Sequence, residues 1–488
     1  MAVLEIHSAA LSAFVVCSGL LCVFFWPVKR SKLPLPPGPK KLPLVGNLLD
    51  VPATMQWEKW AHWSKEYKSD IIHLDLAGTS VIVLSSVKAT EDLLEKRSAI
   101  YSDRNDFTMV TELMGFDYNI GLMKYGDQWR THRRLFNQAL NSKMSQTYWP
   151  QELHAIRNVL RRLLQTPDNF LAHFKLMSGE TIMSIAYGIQ VTSSDDPYVS
   201  LAVKANTFPI LKYVPSWFPG AGFKRQAAKW RVLARGMMEI PFAETKRQME
   251  CGTAPRSFTY DALERLRDSG DAYYEEDVVK ATAGTMFIGA ADTTPAALGT
   301  LVLAMLANPE AQRKAQAEID SVTGGRRLPD FGDQEFLPYV SAIVKGGTAL
   351  EERISFRNAP CSMVIGNTWA MLHDEDMYPD PHTFKPERFL LPNGMLNHSV
   401  KDPDAAFGYG RRRCPGRHLA TSTIWITAAN VLATFNINKA VDELGNTIEP
   451  TYEYTSGVLT APVPFKCSIT PRSSGVVELI QGIDTKYV

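Results

Sequence analysis

The stretch from residue 406 to residue 419 reads AFGYGRRRCPGRHL and sets one thiol, that of Cys414, among glycines and arginines. In water a thiolate is protonated or oxidised, whereas arginines, backbone N–H groups and above all a metal ion stabilise it. The glycines allow the backbone to pass close to a flat ligand. A helix that begins at Gly416 or Arg417 would direct its positive end toward the sulfur anion. The pattern therefore predicts a metal-ligating thiolate, and the alternative is a cysteine in a basic surface loop.

The overall composition describes a large globular chain with little net charge. It has 488 residues, of which 45% are hydrophobic, and a formal net charge of +1. A nucleic-acid partner has no electrostatic support at this charge, so none is predicted. The six cysteines are scattered along the chain, which favours a reducing compartment over a disulfide framework or a zinc knuckle.

The N-terminal region has the composition of a membrane anchor. Residues 8–26 carry no charge and are long enough, as a helix, to cross the roughly 30 Å hydrocarbon core of a bilayer. Trp26 suits a membrane interface, and Lys29, Arg30 and Lys32 favour a cytosolic location for the rest of the chain. A cleaved signal peptide is the alternative, although the leading residues contain no Lys or Arg.

The cysteine segment resembles the haem-binding signature of the cytochrome P450 haem-thiolate monooxygenases. The signature residues are Phe407, Gly410, Arg412, Cys414 and Gly416. The resemblance implies a haem b cofactor whose iron is ligated by Cys414, with Arg412 paired to a haem propionate. Further matching segments follow in the family's order along nearly the whole chain beyond the anchor. The chain is most similar to fungal microsomal members of basidiomycete type.

The resemblance implies the cytochrome P450 fold, which is mostly α with small β-sheets, preceded here by a single N-terminal transmembrane helix. We assign residues 1–28 to the anchor with its short flank, 29–47 to a basic and proline-rich linker, and 48–488 to the haem-thiolate catalytic domain. Residues 70–86 contain two β-rich runs around a glycine and predict a hairpin. The sequence Asn-Pro-Glu at residues 308–310 predicts a helix start.

The segment WRTHR that begins at Trp129 resembles a second haem-contacting element of the family. Trp129 and Arg133 are four residues apart, so on a helix they share one face and can reach one carboxylate. The resemblance implies that both hold a haem propionate. The alternative is an exposed basic helix with one buried tryptophan.

The segment GAADTTP that begins at residue 289 resembles the family's oxygen-activation stretch. Because Pro295 has no backbone N–H, a continuous helix should open near Ala291. In such an open turn Asp292 and Thr293 can hold water and pass protons to dioxygen, and we predict these two as the catalytic residues. Ala290 stands where the family usually has glycine. The alternative is a new helix that begins at Pro295.

One expected element of the family is missing. The family carries a Glu-x-x-Arg helix that should lock Arg388 into a salt-bridged triad, but Gly346 and Ala349 stand at its two positions. Either the chain has diverged, with Glu351 or Glu352 pairing with Arg388, or the reported sequence contains an exon or frame error. The segment is short, so we expect the β-strands that normally follow to be lost. Leaving Arg388 buried and unpaired would cost about 3–5 kcal/mol, so poor haem retention is predicted.

The resemblance implies a monooxygenase that inserts one atom of dioxygen into a hydrophobic organic substrate, such as a secondary metabolite, a terpenoid or steroid, or a polycyclic aromatic xenobiotic. Residues 105–122, 208–218, 287–294 and 455–459 would line its pocket. Electrons would come from a separate NADPH–cytochrome P450 reductase, with cytochrome b5 as a candidate second donor. The enzyme would lie in the endoplasmic reticulum membrane, in contact with lipid, with its catalytic domain in the cytosol.

Several alternatives stay open. Arg411, Arg413 and Arg417 could meet an acidic partner surface, or they could be solvated loop charges. A haem-thiolate isomerase or a peroxygenase is a second function that the same signature allows. The missing Glu-x-x-Arg helix leaves a third possibility, which is an inactive haem-binding paralogue or a mispredicted gene product.

Overall fold

The structure is a computed structural model that describes residues 34–190, 222–269, 275–350, 354–359, 362–456 and 460–483. The predicted membrane anchor and the segment 208–218 lie outside these described residues.

α-Helices are the predominant secondary structure of the described chain, and several of them pack together in the main hydrophobic core. Shorter helical turns connect several of them. The α-helices are α1 (Gln56–Glu66), α2 (Val87–Thr90), α3 (Asp127–Leu140), α4 (Ser142–Gln146), α5 (Trp149–Gln165), α6 (Phe170–Tyr187), α7 (Gly222–Glu250), α8 (Phe258–Ser269), α9 (Glu276–Ala291), α10 (Thr293–Ala307), α11 (Pro309–Thr323), α12 (Pro338–Leu350), α13 (Thr368–Leu372), α14 (Arg417–Thr434) and α15 (Ser474–Gln481). The other turns are π-helical at Glu91–Glu95 and Met109–Leu113, and 3-10 helical at Pro167–Asn169, Phe331–Phe336, Pro386–Phe389, Asp404–Phe407 and Gly410–Arg412.

The strands form one four-stranded and one two-stranded sheet at the edges of the helical body. The strands are β1 (Ile71–Leu76), β2 (Thr79–Leu84), β3 (Ile354–Ala359), β4 (Ser362–Asn367), β5 (Phe435–Lys439) and β6 (Cys467–Pro471). The larger sheet has the order β1-β2-β4-β3, and the smaller one pairs β5 with β6. β1 and β2 are antiparallel and make the hairpin predicted for residues 70–86, so this prediction is confirmed.

The expectation that strands are lost after the missing Glu-x-x-Arg helix is wrong. β3 and β4 pair antiparallel from Ile354 opposite Asn367 to Ala359 opposite Ser362. β4 also pairs in parallel with β2, and its later residues are buried. The physical reason is that Val364 and Ile365 suit a buried central strand, which shields their apolar side chains whatever the length of the preceding segment.

The central helix is interrupted where proline predicted an opening. α9 ends at Ala291 and α10 begins at Thr293, with Asp292 between them. Pro295 has no N–H to donate to the carbonyl of Ala291, so the helical ladder cannot be complete here. Glu276–Ala307 is, among the described residues, the one helical stretch long and apolar enough to cross a bilayer, but it is mostly buried. It therefore belongs to the core of the domain.

Helix packing brings three separate parts of the sequence together around one apolar cluster. Trp129 of α3, Phe287 and Ala291 of α9 and Leu419 of α14 all belong to it. The helix start predicted at residues 308–310 is confirmed, because α11 begins at Pro309. The predicted opening near Ala291 and the helix start at Arg417 are confirmed as well.

Candidate active site

The cysteine segment folds as a tight turn that leads into α14. The N–H of Cys414 donates to the carbonyl of Phe407 at 2.8 Å, which closes the loop. Gly410 has a φ of 51°, and a Cβ built there would lie 2.0 Å from the carbonyl oxygen of Leu94. Any side chain at this position would therefore force the loop away from its neighbour. Gly416 is the N-cap of α14, so the positive end of the helix follows the cysteine directly.

Arg412 is buried and points away from solvent into the backbone of residues 102–123. Its Nε, Nη1 and Nη2 donate to the carbonyls of Ser102, Ile120 and Met123 at 2.8, 3.0 and 2.8 Å. Its guanidinium carbon lies 4.5 Å from the ring centre of Trp129, so the two predicted propionate ligands are stacked on each other. Burial, together with the nearby cation Arg104, lowers the pKa of Arg412 to about 9.

Arg104 and Arg133, both partly buried, complete a cluster of cations around Arg412. Burial lowers the pKa of Arg104 to about 10, and its Nη1 is buried without a hydrogen-bond partner. Burial also lowers the pKa of Arg133, while the negative charge of Cys414 opposes that shift. Arg104 was not predicted from the sequence. In the sequence it stands in the polar run Asp-Arg-Asn-Asp at residues 103–106, which only the fold connects with the cysteine loop.

This cluster fits the cofactor that the resemblance implies. Three guanidinium groups, one of them with an unpartnered buried nitrogen, face a single acidic neighbour, Asp103, in the described chain. A ligand with two carboxylates would supply the missing negative charge. On α9, Gly289 is exposed although residues 281–287 before it are buried, and a Cβ built there would meet no atom within 4 Å. The donor set and the open space beside Gly289 both suit a haem.

The open turn of the central helix is held by side chains. The hydroxyl of Thr293 donates to the carbonyl of Gly289 at 2.7 Å, and the hydroxyl of Ser178 on α6 donates to the carbonyl of Ala290 at 2.8 Å. The carboxylate of Asp292 lies 3.4 Å from the ammonium of Lys175, also on α6. The two residues predicted as catalytic are thus adjacent to a polar break in an apolar helix, where water can be held.

A buried histidine joins the helix of Trp129 to the central helix. His132 Nδ1 lies 3.1 Å from the hydroxyl of Thr282, and burial lowers the pKa of His132 to about 4. The imidazole is therefore neutral at physiological pH. This contact fixes α3 against α9 and sets the distance between the arginine cluster and the open turn.

Two of the arginines considered for partner binding contact their own chain. Arg411 donates to the hydroxyl of Tyr125 and lies 5.5 Å from its ring centre. Arg413 lies 3.5 Å from Glu95 and 3.6 Å from Asp404. These contacts orient the cysteine loop, and both side chains remain partly accessible at the surface.

Among the predicted pocket segments, residues 105–122 and the central helix share an apolar cluster. Phe116 and Tyr118 are buried in it, and Ile288 packs against it. The predicted segment 208–218 and residues 457–459 lie outside the described residues.

Arg388 has no carboxylate partner among the described residues. Its Nη2 lies 3.0, 2.5 and 3.2 Å from the carbonyl oxygens of Pro379, Asp380 and Thr383. Its Nε is buried without an acceptor. Residues 351–352, which hold the two glutamates considered as replacement partners, lie outside the described residues.

An aromatic ring from another segment of the chain occupies the space that the family's glutamate would need at residue 346. A Cβ built on Gly346 would lie 2.9 Å from the ring of Phe384, so this ring covers the glycine. Next to Arg388, the carboxylate of Glu387 accepts hydrogen bonds from the ammonium of Lys314 and the hydroxyl of Tyr339 at 2.7 and 2.9 Å. Helix α12 is therefore still tied to the segment around residue 387, though by different groups.

The fold and this site fit the class of haem-thiolate proteins, and comparison with known proteins names the family. The family model described as Cytochrome P450 matches residues 36–345 and 362–469. The chain therefore belongs to the cytochrome P450 family, whose members use a haem ligated by a cysteine thiolate. The match is interrupted at residues 346–361, the segment in which the sequence lacks the family's Glu-x-x-Arg pair.

Curated relatives are fungal monooxygenases. Cytochrome P450 monooxygenase 98 of Postia placenta is 41% identical over 96% of this chain and 97% of its own length. Cytochrome P450 monooxygenase ple1 of Rhodocybe pseudopiperita is 41% identical over 93% and 92%. Tryptamine 4-monooxygenase of Psilocybe cyanescens is 36% identical over 93% and 96%. The predicted family and enzyme class are confirmed.

Proposed function

We propose that this chain is a membrane-anchored monooxygenase that inserts one atom of dioxygen into a hydrophobic organic substrate. The observation that carries the proposal is the cluster of the buried Arg412 and the partly buried Arg104 and Arg133 near Cys414, which lacks matching acidic groups in the described chain. A relative is named for a reaction on tryptamine, a small aromatic amine, which supports substrates of that size.

The chain's own groups would divide the work as follows. Cys414 would ligate the iron, and the arginines together with Trp129 would hold the propionates and fix the orientation of the ring. When bound, the haem supplies the oxidising chemistry, and its thiolate ligand favours cleavage of the O–O bond. Phe407 and Gly410 would keep the loop in the shape that presents the sulfur.

Asp292 and Thr293 would move protons. The Thr293 hydroxyl oxygen can accept a hydrogen bond from water while its hydrogen is donated to the Gly289 carbonyl. Asp292, held by Lys175, can exchange protons with the same water. Together they would supply protons at the face of the pocket beside Gly289.

The proposed surroundings are the endoplasmic reticulum membrane and a separate NADPH–cytochrome P450 reductase. The uncharged residues 8–26 support the anchor, followed by the linker 29–47 and the catalytic domain from residue 48. Carbonate extraction of membranes tests this: the full chain should stay in the pellet, and a chain lacking residues 1–28 should be released in larger amount. Equal release of both forms would contradict the anchor.

A difference spectrum of the purified, dithionite-reduced protein with carbon monoxide tests the cofactor. A thiolate-ligated haem gives a long-wavelength Soret band, and its absence from the intact chain would contradict the proposal. Product formation should then need both NADPH and reductase. Turnover with peroxide alone, or isomerisation without reductant, would favour the peroxygenase or the isomerase instead.

A second candidate is an inactive haem-binding paralogue or a mispredicted gene product. The unpartnered Nε of Arg388 and the interrupted family match at residues 346–361 favour it. Sequencing of the transcript across this segment distinguishes a diverged gene from an error in the sequence. A transcript that encodes Glu-x-x-Arg would identify a sequence error, and one that encodes the printed residues would identify divergence.

A further inference from the structure

One serine of α6 donates to the interrupted turn of the central helix. Ser178 is buried, and its hydroxyl donates to the carbonyl of Ala290, 112 residues away, at 2.8 Å. Helix α6 packs against both α9 and α10, so it bridges the break between them. The hydroxyl of Ser178 therefore contacts the backbone at the turn itself, where it can affect the conformation of the turn.

This bond differs from those of the other buried hydroxyls nearby. Thr181, Thr285 and Thr300 each donate to the carbonyl four residues earlier in their own helix, at 2.8, 2.8 and 3.0 Å. Such back-bonding is the usual arrangement for a hydroxyl inside a helix. Ser178 instead donates across to a second helix.

Proline accounts for only part of the break. In a complete ladder the carbonyl of Ala291 would accept from residue 295, which is proline, and the carbonyl of Ala290 would accept from the N–H of Thr294. The missing donor of Pro295 therefore leaves the carbonyl of Ala291 without its helical partner, but it leaves the N–H of Thr294 available to the carbonyl of Ala290. The hydroxyl of Ser178 offers the Ala290 carbonyl a competing donor.

We propose that Ser178 is a positioning residue that keeps the carbonyl of Ala290 out of the helical ladder and thereby holds the turn of Asp292 and Thr293 open. The inference rests on the proposed function only where turnover is concerned. Ser178 does not contact the reacting atoms in this proposal. It acts through the backbone of Ala290 on the space in which Thr293 and water meet.

Amide hydrogen exchange measures the position of the Ala290 carbonyl without any turnover. In Ser178→Ala we expect the carbonyl to return to the Thr294 N–H, whose exchange should slow about ten-fold, the size expected for one hydrogen bond gained. Overlapping peptic fragments across residues 286–296 of the purified full chain resolve this amide. Unchanged or faster exchange of Thr294 would overturn the proposal.

Matched variants separate positioning from general destabilisation. Thr181→Val removes a buried hydroxyl one turn away on the same helix, and it should leave the exchange of residues 286–296 unchanged. Ser178→Cys keeps a donor group at the same position, though a weaker one, so it should give an intermediate slowing even if Ser178→Ala folds poorly. Equal changes in Thr181→Val and Ser178→Ala would reduce the role of Ser178 to packing.

Peroxide release tests the consequence for proton delivery. With NADPH, reductase and no added substrate, hydrogen peroxide released per NADPH consumed should rise in Ser178→Ala toward the limit of one molecule per NADPH, since protons arrive less often from a closed turn. Thr181→Val should match the parent. An unchanged ratio would overturn the link to catalysis. An intact chain without the thiolate–haem spectrum would instead refute the proposed function, and the exchange result would still decide the role of Ser178.

Discussion

Arg412 and Arg388 are two arginines inserted among backbone carbonyls, and they are satisfied in different ways. Arg412 uses three nitrogens for three carbonyl oxygens, one each, and its guanidinium also stacks on Trp129. Arg388 directs a single nitrogen, Nη2, at three carbonyls and leaves its Nε buried without an acceptor. Every side-chain nitrogen of Arg412 has a hydrogen-bond acceptor, whereas the Nε of Arg388 has none.

The difference concerns what each arginine lacks. Arg412 lacks only a negative charge, which a carboxylate-bearing cofactor supplies. Among the described residues Arg388 lacks the acidic side chain that the family provides from its own fold, and Gly346 under the Phe384 ring leaves no room for it. The one unsatisfied donor accounts for about 1–3 kcal/mol of the loss expected from the sequence.

The largest expected effect is at Cys414, which lies in the same loop as Arg412. Cys414→Ser removes the thiolate, so the long-wavelength band of the reduced carbon monoxide complex and the oxygenation of substrate should both be lost. Spectra and turnover of the purified variant check this. Turnover at the parental rate would show that the cysteine loop is not where the iron is held.

The next effect is at Arg412. Arg412→Leu leaves three buried carbonyls without a donor and should destabilise the domain by at least about 3 kcal/mol, as well as speeding haem loss. Urea unfolding and transfer of haem to apomyoglobin measure the two quantities.

The matched control for Arg412 is its neighbour Arg411. Arg411→Leu removes an exposed guanidinium from the same loop and should cost much less. Equal midpoints for the two variants would mean that the buried hydrogen bonds of Arg412 contribute nothing.

A smaller effect is expected from restoring the missing acidic partner of Arg388. Gly346→Glu with Ala349→Arg restores the Glu-x-x-Arg pair, and Phe384→Ala removes the ring that covers residue 346. The combined variant should gain about 1–3 kcal/mol through the unpaired donor of Arg388 and should retain haem longer than the parent. Haem retention is compared after gel filtration.

The control for this rebuilding is Phe384→Ala alone, which creates space without a carboxylate and should lower stability. Equal haem retention of the parent and the combined variant would contradict the prediction that the printed chain holds haem poorly.

The smallest effect is a pH dependence from Glu152, which packs on the first turns of α14. Its Oε1 accepts from Ser422 and Thr423 at 2.7 and 2.5 Å, its Oε2 has no partner, and burial raises its pKa to about 8. Between its unfolded pKa of about 4.3 and that value, the folded state keeps a proton that the unfolded state has lost. Stability should therefore fall as pH rises through this window.

Glu152→Gln removes this titration. From pH 6 to pH 7 the parent should lose up to about 1.4 kcal/mol relative to the variant, the limiting slope for one proton. Urea unfolding of both proteins at the two pH values measures the difference. A constant difference between them would mean that Glu152 is already ionised in the folded protein.

The sequence predicted the elements that depend on local chemistry. The proline at position 295 implied an open turn, and the cysteine loop was recognised because its glycines and arginines are close in sequence. The strands β3 and β4 were missed because β4 pairs with β2, which is almost 300 residues away, and β3 in turn pairs with β4. Arg104 was missed for the same reason, since its neighbour Arg412 is distant in the chain.

By itself the sequence determined the family, the thiol beside a helix N-terminus and the absence of the Glu-x-x-Arg pair, because these depend on which residues lie next to each other. Only the tertiary structure decided that three arginines share one buried region, that Phe384 covers Gly346 and that Ser178 reaches the carbonyl of Ala290. The physical reason is that charge–charge and hydrogen-bond energies depend on distance in space, and chain folding sets that distance.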